Sequence, residues 1–372
     1  RQRRTSSSCK RPKTRRRNPR IPESISGSEN LMTTQTRTAR ITYNRTIGVA
    51  AMEGRGFYYP WAGAVADDGK IYILGRGLDN DPRGVRVTVM NMEEEYFGTF
   101  GSFGTGSGQA IWNAGIAIDS QQRLFTSDEH LNRILVRTLE GELLDTWGET
   151  GTDPGQLNGP NGIAFNSNNE LLVSDHMNGR IQRFTTEGKH LATFGEQGSG
   201  DGQLNLPWGV CVDTADNVYV ADWGNDRIVK FDADGAFLAN FGSPGRNDGE
   251  FNAPSDVFVD SDGYIYITDW GNQRIQVLDS EGTFVQLHRG ESTLSKWAHE
   301  FLDTNIEEKA ARNTANLDLD LEFNIDDPHE QSAHIEKYFW GPTSITMDND
   351  GHLLVVDSNR HRVQVFDIAS SD

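Results

Sequence analysis

One interval limits what this chain can fold into more than any other feature. The aromatic–glycine pairs Phe100-Gly101, Trp147-Gly148, Phe194-Gly195 and Phe241-Gly242 follow one another at 47 residues. An aspartate keeps the same step at Asp128, Asp175, Asp222 and Asp269, and an arginine stands five residues after each, at Arg133, Arg180, Arg227 and Arg274. The pair returns at Asp357 and Arg362 after an interruption. A unit of this size cannot bury its own apolar face, so its copies must stack or close into a ring.

The unit at 202–242, GQLNLPWGVCVDTADNVYVADWGNDRIVKFDADGAFLANFG, parses into four short strands: WGVCV, NVYVAD, RIVKF and AFLANF. Asp-Asn and Asp-Gly turns separate the first from the second and the third from the fourth. Four antiparallel strands repeated at a fixed period predict a β-propeller blade. The 39 glycines and the hydrophobic fraction of only 35% suit many strands and turns better than a helical bundle. Complete strand sets are expected at 57–104, 105–151, 152–198, 199–245 and 246–290. The last set, GPTSITMDNDGHLLVVDSNRHRVQVFDI, supplies three strands, and ARITYNRTIGV at 39–49 is a spare strand for its missing outer position. The reading is an all-β, six-bladed propeller spanning 39–372, with no free sheet edge at the join.

Charge divides the chain. Residues 1–45 hold 13 Lys+Arg against 2 Asp+Glu, which leaves 22 against 52, a net of −30, for the rest. That surface repels a phosphate backbone, so no nucleic-acid partner is expected. Residues 1–38 read as a disordered basic head. With Met32 opening an alternative start, 1–31 is expected not to be native; the other reading is a nucleic-acid or membrane-surface arm. No stretch approaches the length of a membrane span and no secretion signal is evident, so a cytoplasmic monomer without a membrane partner is expected. Cys9 and Cys211 cannot make a disulfide framework, and Cys211, among β-branched residues, reads as packing.

The segments PNGIAF…LLVSDHMNGRIQRF, PWGVCVDTADNVYVADWGNDRIVKF and PSDVFVDSDGYIYITDWGNQRIQVL resemble the NHL repeat. The resemblance covers roughly 50–290 and 341–368 and implies a six-bladed propeller, a fold that hosts different functions. The first unit departs from it: Gly75 stands where the aspartate belongs, and GRGLDNDPRG lengthens the turn. The second unit carries Asn132 one place late. At a distance the chain is similar to the propeller of peptidyl-hydroxyglycine amidating lyases, whose zinc is held by channel histidines. The link positions here, Asn161, Trp208, Ser255 and Thr343, contain no histidine, which speaks against that activity. Calcium-dependent lactonases of similar shape imply channel Glu, Asn and Asp ligands; Asn161 and Asp256 would supply two.

A feature present in nearly every unit serves the unit. The motif aspartates are therefore expected to bond turn N–H groups and the following arginine, rather than to form a ring of ligands. Function is expected where units differ. After each link proline or its counterpart stand Trp61, Ala114, Asn161, Trp208, Ser255 and Thr343, and Asp256 replaces the usual glycine one place on. The turns between second and third strands add Glu129, His130, His176, Trp223, Trp270 and His361. Both sets fall at one mouth of the central channel. The candidate ligand-binding residues are Trp61, Asn161, His176, Trp208, Trp223, Asp256, Trp270 and Trp297; packing of the indoles between blades is the alternative. Glu129, His130, His176 and Asp256 are the candidates for a calcium or zinc ion, without a recognised ligand spacing.

The insertion 291–340 breaks the period. Leu294, Trp297, Ala298, Phe301 and Leu302 recur at helical spacing behind Ser292 as N-cap, and a second helix is expected from Asn305, with Glu308 completing a capping box. The first helix is expected to cap the channel mouth. The function expected is a module binding a small molecule, peptide or protein through an acidic, Trp/His-containing mouth. The alternative is a propeller enzyme, lyase or lactonase-like hydrolase, with a metal at the central channel.

Overall fold

The computed structural model describes residues 40–78, 81–317 and 326–369. The basic head and its start at Met32 lie outside the described residues, as does most of the acidic stretch that follows the second helix. Six four-stranded antiparallel sheets form six blades. Blades one to five occupy 60–100, 113–147, 160–194, 207–241 and 254–288. The first strand of each packs on the first strands of its neighbours, and that of blade six on that of blade one, so the ring is closed. No helix among the described residues is long and apolar enough to cross a membrane.

Blade six is built from both ends of the propeller. Pro342–Met347, His352–Asp357 and Arg362–Ile368 are joined by Ile41–Ile47 as the outer strand. Ile41 pairs with Ile368 and Ile47 with Val363, with a bulge between Tyr43 and Arg45. This is the predicted closure. Arg40 pins its start: the guanidinium pairs with Asp260 and Asp262, donates from Nε to Tyr266 at 3.0 Å and lies over the Tyr264 ring.

The repeated motif is turn architecture. Asp175 accepts from Asn158 N at 2.7 Å, Asn178 Nδ2 at 2.8 Å and Arg180 Nε at 2.7 Å. Asp222 and Asp269 repeat the set with Asn205, Asn225 and Arg227, and with Asn252, Asn272 and Arg274. All five aspartates are fully buried, which leaves no carboxylate free for a ligand. Asp128 bonds only backbone N–H groups of its loop, from Ile111, Trp112, His130 and Leu131, while Arg133 turns to the carbonyls of Gly106 and Gln109. The late Asn132 is part of that departure. In blade one Gly75 is required by the backbone: a Cβ there would meet Gly84 O at 2.2 Å, because the lengthened turn folds back on itself.

The insertion forms three helices, α1 Lys296–Thr304, α2 Ile306–Thr314 and α3 Pro328–His334. Ser295, not Ser292, caps α1, accepting from Ala298 N at 3.0 Å; Ser292 Oγ is bonded to Glu336 instead. Asn305 precedes α2 without a side-chain cap, since its Nδ2 donates to Phe301 O at 2.7 Å, so the capping box with Glu308 does not form. The larger correction concerns position. Trp297 is 1% exposed in a cluster with Ile47, Phe57, Met90 and Val363, at the seam where blade six meets blade one. Its Nε1 donates to Glu94 O at 2.6 Å, and Ser295 Oγ donates to Gly48 O at 2.6 Å. Glu94 lies in the turn before the outer strand of blade one, and Gly48 directly follows the closing strand. The helix therefore packs on the outer edge of the ring and does not cap the channel, and Phe301 is left 50% exposed. Helical spacing identified the apolar face correctly; the unfilled groove it sought was the seam.

Candidate functional site at the channel mouth

The variable residues converge on the channel axis. Trp61 starts blade one and Trp208 starts blade four, on opposite sides of a six-membered ring, yet their ring centroids are 5.9 Å apart. The two indoles therefore span the mouth. Trp223 leans on Trp208 at 5.6 Å, and His176 meets it edge-on at 5.9 Å. All four are half-buried. Trp223 Nε1 is buried without a hydrogen-bond partner.

His176 and Trp223 occupy the first place of short 3-10 turns after the buried motif aspartates. These turns hold the variable side chain at a fixed height on the rim. His176 Nδ1 is 3.2 Å from Pro207 O, so that nitrogen carries the hydrogen. Burial holds the imidazole below its ordinary pKa, and the neighbouring charges of Glu129 and Arg76 act in opposite directions. The ring is neutral at pH 7.

Two residues that the sequence reading missed complete this side. Arg76 lies over Trp61 at 4.7 Å and over Trp112 at 5.3 Å, and its Nη1 donates to Glu129 Oε2 at 2.7 Å. Arg76 holds the same position in blade one as Glu129, His176, Trp223 and Trp270 hold in theirs. It was hidden because Gly75 breaks the motif just before it. Trp112 precedes the first strand of blade two, where the link proline is absent.

The other candidates do not join this cluster of rings. Trp297 belongs to the seam. Trp270 is not in ring contact with the indole cluster among the described residues, and its turn packs against α3. His130 is exposed, edge-on to Trp112. His361 stacks on Tyr58 and accepts from Tyr59 N at 3.0 Å. Ser255 and Thr343 bridge blades, donating to Pro342 O at 2.9 Å and Trp61 O at 2.7 Å. Asp256 is likewise a bridge: Oδ2 accepts from Ile345 N of blade six at 3.0 Å and Oδ1 from Val257 N at 2.9 Å. It stands in the tight inner ring where blades two to four use Gly115, Gly162 and Gly209; a Cβ on Gly209 would meet its Oδ1 at 2.1 Å. Burial pushes its carboxyl up to about 7, against the pull of the N–H groups. Burial also pushes the Cys211 thiol up to about 12, which makes it unreactive.

Below the indoles the channel encloses about 290 Å³, near the lower limit for a ligand pocket. Its wall is mostly Gly, Ala, Val and Ile, and Asp256 is the only charged side chain lining it among the described residues. The metal candidates do not gather into a group of three among the described residues. Glu129 neighbours His176 but is paired with Arg76, His130 points to Trp112, and Asp256 is held by the Ile345 and Val257 N–H groups. Asn161, 2% exposed, has a buried and unpartnered Oδ1, a single donor where calcium takes six or more oxygens. The one cluster of three metal-capable side chains among the described residues is Asp348, Asp350 and His352, in the turn between the first two strands of blade six. There Asp348 is already occupied by the Asp350 and His352 N–H groups and His352 Nδ1. These residues do not fit a calcium or zinc centre.

Comparison with known proteins agrees with the fold. The NHL repeat profile matches residues 339–366, the SMP-30/gluconolactonase/LRE-like region matches 116–248, and a six-bladed β-propeller profile matches 209–296. The chain is a six-bladed β-propeller, and the segment 339–366 in its last blade matches the NHL repeat. None of the curated proteins matches the sequence. A catalytically inactive virginiamycin B lyase from Staphylococcus aureus, determined with quinupristin, is 14% identical with a TM-score of 0.53, over 88% of this chain and 100% of the other. A gluconolactonase from Xanthomonas campestris is 14% identical with a TM-score of 0.54, over 88% and 99%. At these identities the likeness is one of fold, and it points to propellers in general rather than to the amidating lyase.

Proposed function

We propose that this protein is a binding module whose site is the indole-lined channel mouth. One observation carries the reading: Trp61 and Trp208, from opposite blades, meet across the axis while remaining half-exposed. They stand where the units differ, whereas the invariant positions of the repeat are consumed by turn architecture. Indoles offer a large, rigid contact area at little entropic cost, and tryptophan is enriched where binding energy concentrates. The ligand is a small molecule or a peptide side chain with a flat or apolar face. The acidic folded region disfavours nucleic acid, so RNA binding by residues 39–372 that weakens with salt would contradict the partner class.

The test is a calorimetric titration of the whole protein with three probes: cellobiose, N-acetyltryptophanamide and N-acetylargininamide. Saturable binding of at least one, lost in W208A and kept in W147F, supports the reading. Trp147 makes a suitable control because it packs on Phe184 between blades and donates to Thr186 O. No response to any probe contradicts it. The gluconolactonase-like match over 116–248 favours a second reading, a metal-dependent enzyme. Stoichiometric calcium or zinc in the purified protein would support that reading, against the donor set described above.

A further inference from the structure

Arg76 is the mouth residue whose neighbours already define a recognition chemistry. Its guanidinium has two indole faces beside it, Trp61 and Trp112, and a carboxylate at 2.7 Å, Glu129. Aromatic faces with a carboxylate are the set that holds an organic cation, and the planar guanidinium uses it best. The side chains of Arg76 and Glu129 are only 17% and 22% exposed, so the pair sits in a recess rather than on open surface.

Arg76 does not take the part of a motif arginine in its own blade, where its guanidinium lies over Trp61. In blades three to six the motif arginine binds the buried aspartate five residues before it. Blade one has no such aspartate, and its turn is held by the backbone, Gly75 N to Arg86 O at 2.7 Å and Arg76 N to Tyr59 O at 2.9 Å. The Arg76 side chain reaches from Trp61 across to Trp112 and Glu129 of the next blade. It occupies the position held at the mouth by His176 in blade three and Trp223 in blade four. The field favours a cation there, since the region from residue 46 onward carries a net charge of −30.

We propose that Trp61, Trp112 and Glu129 form a recognition slot for a guanidinium group, and that Arg76 is its resident occupant, displaced by an arginine side chain of an incoming peptide. The inference rests on the reading of the mouth as the binding site. It makes Arg76 a self-ligand that weakens the slot for outside cations, so ligands able to exchange with it are selected by what else they contact at Trp208 and Trp223.

The experiment compares wild type, R76A and R76A/E129Q, each as the whole protein, with N-acetylargininamide as probe and tryptophan fluorescence as readout. R76A is expected to bind the probe about tenfold more tightly than wild type, in line with a vacated cation site. E129Q in that background is expected to remove the gain, and raising salt to weaken binding. Circular dichroism melts check folding, and R76Q, which keeps the side-chain stem, replaces R76A if the latter melts early. Equal or weaker binding by the emptied variant, or a gain that survives E129Q, overturns the proposal. If cellobiose or N-acetyltryptophanamide binds in a Trp208-dependent way while N-acetylargininamide does not, only the guanidinium slot falls. If no probe binds any variant, the mouth reading falls with it.

Discussion

The mouth and the seam between blades six and one both carry tryptophan at positions the repeat does not fix, and the side chains behave oppositely. At the seam Trp297 is buried among aliphatic residues from two blades, and its N–H is satisfied by Glu94 O. Around it Glu94 accepts from Gly48 N and Lys296 N, while Tyr43 and Thr293 exchange hydrogen bonds between the closing strand and the insertion. At the mouth Trp208 contacts both Trp61 and Trp223, all three remain half-exposed, and Trp223 Nε1 has no partner among the described residues. A closed ring needs one seam that the repeat cannot supply, and the insertion provides a staple there. The mouth is not needed for closure, so its aromatics are free for another purpose. Burial and polar satisfaction, rather than residue type, separate the two.

That contrast can be broken by mutation. The largest effect is expected from removing residues 40–50. The Arg362–Ile368 strand then becomes an open edge, and the expected product is insoluble. A soluble product with an intact cooperative melt would show that the ring does not depend on its seam. Next comes W297A, expected to cost about 3–5 kcal/mol in urea unfolding, the range for truncating a fully buried large aromatic. The surviving folded protein should bind at the mouth as wild type does. W208A should show the reverse profile, a loss of probe binding with a stability change of at most about 1–2 kcal/mol.

The last break uses pH and concerns Asp256. Its surroundings in the folded channel push the carboxyl up to about 7, against an ordinary value of about 3.9 when unfolded. Between these values the folded state holds the proton and the unfolded chain does not. Stability therefore falls as pH rises from about 4 to about 7 and is level above that. Serine occupies the same column in blade six as Ser344, so D256S is a compatible replacement. Urea midpoints measured across this range should slope less in D256S than in wild type; an identical slope would remove Asp256 as the cause.

Much of this was legible in the sequence because a repeat declares its own architecture. The Asp–Arg pairs, the four-strand units and the borrowed outer strand follow from period and strand pattern. The mouth was legible as a set of variable columns, and Trp61, His176, Trp208 and Trp223 do meet there. Arg76 was not, because the broken motif at Gly75 removed the landmark that locates its column. Asp256 does line the channel, but its bridging part was not legible, because a carboxylate in a column of small residues looks like a functional insertion. In fact the inner strands approach so closely there that the carboxylate becomes a bridge to Ile345. Trp297 was misplaced because periodicity shows that a helix has an apolar face without showing which groove receives it.

The central claim, that the tryptophans at the mouth receive a ligand while those of the seam and blades do not, is open to one direct measurement. The chain has eight tryptophans, and each gives an indole N–H signal in a proton–nitrogen correlation spectrum. Assigned spectra should be recorded with cellobiose, N-acetyltryptophanamide and N-acetylargininamide added in turn. The account predicts that the binding probe shifts the Trp61, Trp208 and Trp223 signals and leaves those of Trp147 and Trp297 in place. Shifts confined to Trp297, or no shift at any indole under saturating probe, would contradict it.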